Sequence, residues 1–519
     1  MFPTIMATSK VSPKIDRRGQ VGPPSNARTG VIIFAITLAI LAYIDRVCIS
    51  LVMPQIEKDL GFNNIQVGQI FAAFGLAYAA FEVPGGWMGD WMGPRKVLMR
   101  IVIWWSAFTA LTGLMWNFLS MWFTRFLFGA GEAGCFPNLT KAFSVWLPQS
   151  ERVRAQGIMW TFARWGGAFT PPLVLFVLAY VSWRGAFVIF GGLGLIWALW
   201  FYKWFRDNPK DHPGVNAGEL KLLEGLEKNA ESHGDVSPST LRKAGLAVLL
   251  VLGTLGGTLL MFPKEYPYIF VGLVLIGGTA GYTWGRSHRG TIWGEMLCNR
   301  SVWLLWVQYF LLSFPWYFYI TFLPKYLTEQ RAFSPMLKGI GASFGWFQAD
   351  ANTASLAIFP LFFGGCGSLV CGLISARVAR LTGSVKNTRR LMASLGFLGA
   401  GTMLLISIQI QDPLPAMLAM GFASFFNDLV MPGAWAACMD VGGRFAGTLA
   451  GSMNMMGNVA GFVAPMIGGR MVDASKAASG TNTADYHPFM YVMAVVYLLG
   501  TVVWPFIDPV KPIETSATH

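Results

Sequence analysis

The chain has 519 residues, 54% hydrophobic and only 13% charged, with a formal net charge of +13. A soluble chain carries about 25% charged residues, and here the mean hydropathy is +0.49, so a string of soluble domains is excluded and an all-α polytopic membrane protein is expected. Nor does the positive charge indicate nucleic acid: Lys and Arg are spread over short loops, not gathered in a patch with interleaved aromatics.

In chain order, residues 1–29 are polar and basic, without the apolar core of a signal peptide, and read as a cytoplasmic tail. A membrane span needs about 20 apolar residues. Candidates lie at 30–53, 66–90, 98–116, 118–146, 154–181 and 184–204, forming an N-terminal bundle over 30–206. Residues 207–243 read as a charged cytoplasmic linker with a short surface helix near Gly218–Lys228. Within 244–300, two short Gly-rich segments at 244–262 and 267–285 form an inserted hydrophobic pair, either two spans or one buried hairpin.

Spans at 302–327, 353–380, 390–410, 413–438, 446–472 and 487–507 make a C-terminal bundle over 301–508, and 509–519 is a second cytoplasmic tail. The total is about fourteen spans. With both termini in the cytoplasm, about 27 Lys/Arg face that side and about 8 the other. The net charge is then mostly topology and contact with anionic membrane lipid. The polar segment Thr328–Asn352 is a candidate cap on the outer face. The cysteines (Cys48, Cys135, Cys298, Cys366, Cys371, Cys438) show neither zinc-site nor disulfide spacing, so no metal or cofactor is expected.

The two halves echo each other. The second span runs into Gly86-Trp-Met-Gly-Asp90-Trp-Met-Gly93-Pro-Arg95, and its counterpart into Gly372-Leu-Ile-Ser-Ala376-Arg377; WGGAFTPP at 165–172 is answered by GNVAGFVAP at 457–465. Internal repeats of this kind mark secondary transporters, with the site between the halves near the midplane.

Charge inside a span costs about 2.5–3.5 kcal/mol per residue on insertion scales. Asp45 and Arg46 nevertheless sit side by side in the first span, and Arg125 and Glu132 lie seven apart in the fourth, among Gly129, Gly131 and Gly134. Seven residues is about 10 Å on one helix face. An Arg fork can hold a carboxylate and never deprotonates, while a buried Asp or Glu can exchange a proton when its Arg is taken by a substrate. Such pairs can equally be structural ties between helices. Arg164 lies mid-span, where it can grip a second acid group of a substrate or tie to Asp428 or Glu82. Histidines occur only in loops, at a span edge or at the terminus, which leaves protons to carboxylates.

GxxxD followed by Gly and a basic pair resembles the signature loop of the major facilitator superfamily. YIDR at 43–46, VPGGW at 83–87, RFLFGAGEAGCFPN at 125–138 and NPKDHPGVNAGELKLL at 208–223 resemble its anion:cation symporter family. That family includes bacterial sugar-acid carriers, sialin and the vesicular glutamate carriers.

The resemblance implies a major facilitator fold of two pseudo-symmetric six-helix bundles, with spans one and four meeting at the cavity. Asp45 and Glu132 would then couple protons, and Arg46 and Arg125 would bind substrate or gate. Tyr43, Tyr78, Gln308 and Asn427 would contact substrate hydroxyls, and Gly86, Asp90, Gly93 and Arg95 would form the gating loop. Trp91 departs from the pattern, standing where the loop usually has a basic residue, as does Arg164, where sugar-acid carriers usually have glutamine.

The expected function is proton-coupled import of a small organic anion, most simply a sugar acid, across a bacterial inner membrane, by a chain acting as a monomer. A different carboxylate, sodium coupling, or a non-transporting membrane sensor are the alternatives. No HExxH, GxSxG or phosphate-cradling loop points to an enzyme.

Overall fold

The computed structural model describes residues 22–224, 226, 266–288, 291–323, 326, 358–479 and 485–513. The span expected at 244–262 and the cap expected at Thr328–Asn352 lie outside these residues. In hydrocarbon, backbone polar groups must be paired within their own segment, which leaves the helix as the open-ended solution. Seven stretches of the described residues are long and apolar enough to cross a membrane.

The first half of the chain holds α1 (Ala27–Leu60), α2 (Asn64–Met92), α3 (Pro94–Thr112), α4 (Phe118–Glu132), α5 (Cys135–Trp146), α6 (Gln149–Leu178) and α7 (Trp183–Trp204). A short α8 (Ala217–Leu222) follows, ending before the expected limit of the linker helix. Next come α9 (Tyr266–Ser287), which covers the second inserted segment, and α10 (Ile292–Cys298). The second half holds α11 (Arg300–Thr321), α12 (Ile358–Thr382), α13 (Val385–Gln409), α14 (Pro413–Gly442), α15 (Ala446–Ser479) and α16 (His487–Val503).

The span expected over 118–146 is not one helix. Gly134 takes φ +82°, which a side chain rarely tolerates, and the helix stops at Glu132 and restarts at Cys135. A Cβ added at Gly85 would lie 2.8 Å from the Cα of Gly134, so α2 crosses against the break. Asn138 holds the crossing together by donating from its amide to the carbonyls of Gly85 (2.9 Å) and Gly134 (2.7 Å).

Helices in lipid gain little from apolar burial against each other, so close packing of small residues carries the contact. The halves meet where α2 crosses α15 and α6 crosses α12. At the first crossing Gly86 faces Gly447; at the second Gly157 faces Gly372, whose Cα would be 2.9 Å from an added Cβ. A Cβ added at Gly75, by contrast, would meet nothing within 4 Å among the described residues.

The end of the molecule that holds the start of α1, here the basal end, carries polar ties between the halves. Asp90 at the end of α2 caps α15 of the other half, accepting from the N–H of Gly447 (3.0 Å) and from the N–H and hydroxyl of Thr448 (2.6 and 2.7 Å). A carboxylate suits that position because a helix N-terminus carries unpaired N–H groups and partial positive charge. Lys141 of α5 reaches both Asp90 (3.3 Å) and the carbonyl of Arg444 (2.5 Å). Asp440 of α14 is held by Arg152 of α6 and Arg389 of α13, and accepts from Gln149 at 3.0 Å.

Asp90 and Arg95 do not pair with each other. The backbone N–H of Arg95 donates to Asp207 (2.8 Å) and its guanidinium to the carbonyl of Tyr202, while Gly93, at φ +83°, turns the chain between α2 and α3. Trp91 stacks on Trp87 with ring centroids 5.6 Å apart.

The linker straps back onto the first helix. Asn26 precedes α1 in a left-handed conformation and gives no side-chain cap. Glu219 of α8, fully buried, supplies one instead: it accepts from the N–H groups of Ala27 (2.9 Å) and Arg28 (3.0 Å), from the Arg28 guanidinium, and from the Ser25 hydroxyl. Burial alone would raise its pKa, but these donors together hold it below the ordinary glutamate range. The stabilisation is therefore full above that range and lost as pH falls through the lowered value. Glu219→Ala is expected to cost ~2 kcal/mol at neutral pH. In thermal unfolding of the detergent-solubilised protein, the gap between wild type and Glu219→Gln is expected to close on acidification; a gap that persists in acid would mean that charge is not what the carboxylate contributes.

Candidate functional site

Asp45 and Arg46 point in different directions, as neighbours on a helix must. The buried carboxylate of Asp45 lies among Arg125, Trp105 and Thr109. Arg46 faces the break in the fourth span, and its Nε donates to Glu132 Oε1 at 2.7 Å. Its guanidinium lies 4.5 Å from the centre of the Tyr78 ring and within 6 Å of Tyr43, Phe74 and Phe136. The Arg46 side chain is 24% exposed while that of Glu132 is fully buried, so the pair has one accessible side. Arg125 lies 4.1 Å over Phe128, with Glu132 and Asp45 as the carboxylates acting on it. The partner of Glu132 is thus Arg46 from another helix, not Arg125 from its own.

A second charged pair joins the halves. Arg164 of α6 grips Asp428 of α14 through Nε (2.6 Å) and Nη2 (3.1 Å). Its Nη1 donates to the Tyr43 hydroxyl (3.2 Å), and its guanidinium lies 3.5 Å over Trp316 of α11. Asn427 donates to Asp428 (2.9 Å) and accepts from Tyr497 (3.1 Å). Of the two ties considered for Arg164, Asp428 is the one formed.

Gln308 is not brought to this cluster. It is fully buried within the second half, its amide donating to the carbonyl of Leu305 (3.1 Å) beside Met453. An amide in an apolar helix satisfies itself on its own backbone as readily as on a ligand. Asn427 is likewise engaged with Asp428 and Tyr497.

Glu82 stood in the sequence only as a possible tie for Arg164; its partner Asn454 went unmarked. Asn454 of α15 donates to Glu82 of α2 at 2.8 Å across the interface between the halves. The spacing held a signal: Tyr78, Glu82, Gly86 and Asp90 recur every fourth residue and so share a helix face, as do Asn454 and Asn458. Among the polar atoms buried here without a hydrogen-bond partner are Arg46 Nη2, Tyr78 Oη, Glu82 Oε2 and Glu132 Oε2. Buried polar groups are normally paired, and the side chains that carry these atoms are drawn from three helices of the first half.

A fold of two helical halves that bury charge between them inside a membrane defines a polytopic membrane transporter. The chain belongs to the Major Facilitator Superfamily, which it matches over residues 35–465. It is 31% identical over 479 residues to a probable sulfoacetate transporter of Cupriavidus necator, covering 92% of each chain. With a probable galactarate/D-glucarate transporter of Escherichia coli it shares 28% identity over 449 residues, 85% of this chain and 87% of the other. Its fold matches a crystal structure of the E. coli fucose:proton symporter with a TM-score of 0.61 at 13% identity, covering 93% of this chain and 99% of that one. These relatives are transporters, and the chain is a transporter, not an enzyme.

Proposed function

We propose that the chain imports a small organic anion together with protons, by alternating access of two pseudo-symmetric six-helix bundles in the inner membrane. The reading rests on the charge balance of the buried cluster. Asp45, Glu82, Glu132 and Asp428 place four carboxylates against the three guanidiniums of Arg46, Arg125 and Arg164. With all of them ionised the region is already negative, so an anion enters favourably only if a carboxylate takes up a proton. That requirement links the two cargoes.

In this reading Asp45 and Glu132 carry protons. Arg46 and Arg125 bind the first acid group, and Arg164 takes a second when it leaves Asp428. Tyr43 and Tyr78 line the space; Gln308 and Asn427 support it from within the second half. Gly86, Asp90, Gly93 and Arg95 form the basal gate. The inserted segment 244–300 adds a helix pair to the twelve spans of the bundles, both termini are cytoplasmic, lipid surrounds a monomer, and no cofactor takes part.

Two substrate classes fit, and both are acids. The names of the relatives include galactarate and glucarate, which are sugar diacids, and sulfoacetate, a short carboxylate–sulfonate; the higher identity to the sulfoacetate relative favours a short dianion. The test is uptake into proteoliposomes under an inward proton gradient. The panel is sulfoacetate, galactarate, glucarate, galactonate and glucuronate, with glucose as the uncharged control. One acid is expected to accumulate only with the gradient, and glucose not at all. Uptake driven by a sodium gradient and indifferent to protonophore would replace the proton with sodium. No uptake of any acid would leave the fold and move the substrate to another anion.

A further inference from the structure

We propose that Glu82 is a further proton-carrying carboxylate, distinct from Asp45 and Glu132, whose proton affinity is set by contact with Asn454 of the opposite half. The inference rests on the proton symport proposed above and concerns how many protons accompany each anion.

Glu82 occupies the middle of the stripe by which α2 meets α15. Below it, Gly86 touches Gly447 and Asp90 caps the start of α15. At its own level, a Cβ on Gly451 of α15 would lie 2.8 Å from the Glu82 carbonyl oxygen. The helices are therefore nearly in backbone contact there, and the carboxyl is fully buried at a joint between the halves. One oxygen accepts from Asn454 at 2.8 Å and the other has no partner.

The surroundings do not neutralise it. Among the described residues no cation forms an ion pair with Glu82; Arg46 is committed to Glu132 and Arg164 to Asp428. The groups facing it are Arg46 of α1, Glu132 of α4, the Cys135 thiol of α5 and, one turn before it on α2, Tyr78; from the second half come Asn454 of α15 and the phenols of Tyr309 and Tyr317 on α11. Tyr78 lies near enough to act on the carboxyl, yet its hydroxyl stays outside hydrogen-bond geometry. Lys141 of α5, the other cation beside α2, is engaged with Asp90 at the basal end.

An unpaired carboxylate in so dry a place is far costlier to keep than the neutral acid. A hydrogen bond from an amide offsets part of the cost of the charged form. Asn454 provides that bond only while α2 and α15 keep this register. When the halves move relative to each other the bond changes, and the affinity for the proton changes with it. A site whose affinity differs between two conformations is what coupling requires. The step balances simply: a proton from one side forms the O–H bond of Glu82 Oε2, and the same bond breaks to release it on the other side.

Two measurements test this. The first is the proton:anion ratio in proteoliposomes, taken from the membrane potential that just halts uptake of sulfoacetate or galactarate, whichever is transported. Glu82→Gln is expected to lower the ratio by one. Wild-type uptake that ignored the proton gradient would remove the symport reading and this inference with it; wild-type coupling with an unchanged ratio in Glu82→Gln would remove only the inference.

The second needs no substrate. Infrared difference spectra between acid and alkaline pH of the purified full-length protein are expected to show a titrating protonated-carboxyl band that shrinks in Glu82→Gln and changes its midpoint in Asn454→Leu, which keeps Glu82. Should Glu82→Gln fail to fold, Asn454→Leu decides: an unmoved midpoint overturns the proposal. An undiminished band in a folded Glu82→Gln overturns it as well.

Discussion

Arg46→Ala is expected to lower uptake by at least ~100-fold. Arg46 is the partner of Glu132, at 2.7 Å, and the other Glu132 oxygen is already unpaired. Removing one member of a buried pair costs about 3–5 kcal/mol when the other stays charged, and each ~1.4 kcal/mol is a factor of ten in rate. The carboxyl avoids that cost by keeping a proton, and then neither the anion site nor the exchangeable proton remains. Arg46→Lys keeps the charge but loses the planar fork and its stacking over Tyr78, so partial activity with weaker substrate affinity is expected. Glu132→Gln separates the two roles: anion exchange in the absence of a gradient is expected to outlast acid-driven accumulation. Initial rates in proteoliposomes check all three. Arg46→Ala working near the wild-type rate would make the pair a structural tie.

The apolar runs, their division into two halves and the rare intramembrane charges were legible in the sequence, because lipid imposes length and composition on every span and makes a buried charge conspicuous. Partners were not. Arg125 and Glu132 share a helix face by spacing, yet Glu132 takes Arg46, since the helix stops at Glu132, two residues before the positive-φ Gly134, and Arg46 of α1 meets its carboxylate at that end. That break is invisible in a Gly-rich run, where a glycine that packs and a glycine with positive φ look alike. Gln308 shows a second limit: polarity in a span marks a demand for hydrogen bonds without naming the group that meets it, here the Leu305 carbonyl. Glu82 and Asn454 are separated by 372 positions, and only the crossing of α2 with α15 puts them together. The cap on α1 by Glu219 was hidden for the same reason, its donors lying 191 to 194 residues away.

Asp428→Asn is expected to destabilise the protein more than the double change Arg164→Gln with Asp428→Asn. The single variant leaves a buried guanidinium without its counter-charge, at a cost of about 3–5 kcal/mol, and contacts to Trp316 and Tyr43 do not replace it, whereas removing both charges leaves a hydrogen-bonding amide pair with little to desolvate. A double-mutant cycle by thermal unfolding in detergent is expected to show coupling of ~2 kcal/mol or more; coupling near zero would mean that the two groups are neighbours without being partners. The pair joins α6 to α14, so Asp428 must release Arg164 whenever those helices part, and the released guanidinium needs another acid at once. A substrate with two acid groups brings one, while a monoanion spends its only one on Arg46. Arg164→Gln, with Asp428→Asn to keep the charge balanced, is therefore expected to erase the preference of galactarate or sulfoacetate over galactonate in competition for uptake. A preference that survived in the double variant would leave the pair as a hinge tie and place the reading of the second acid group elsewhere in the cluster.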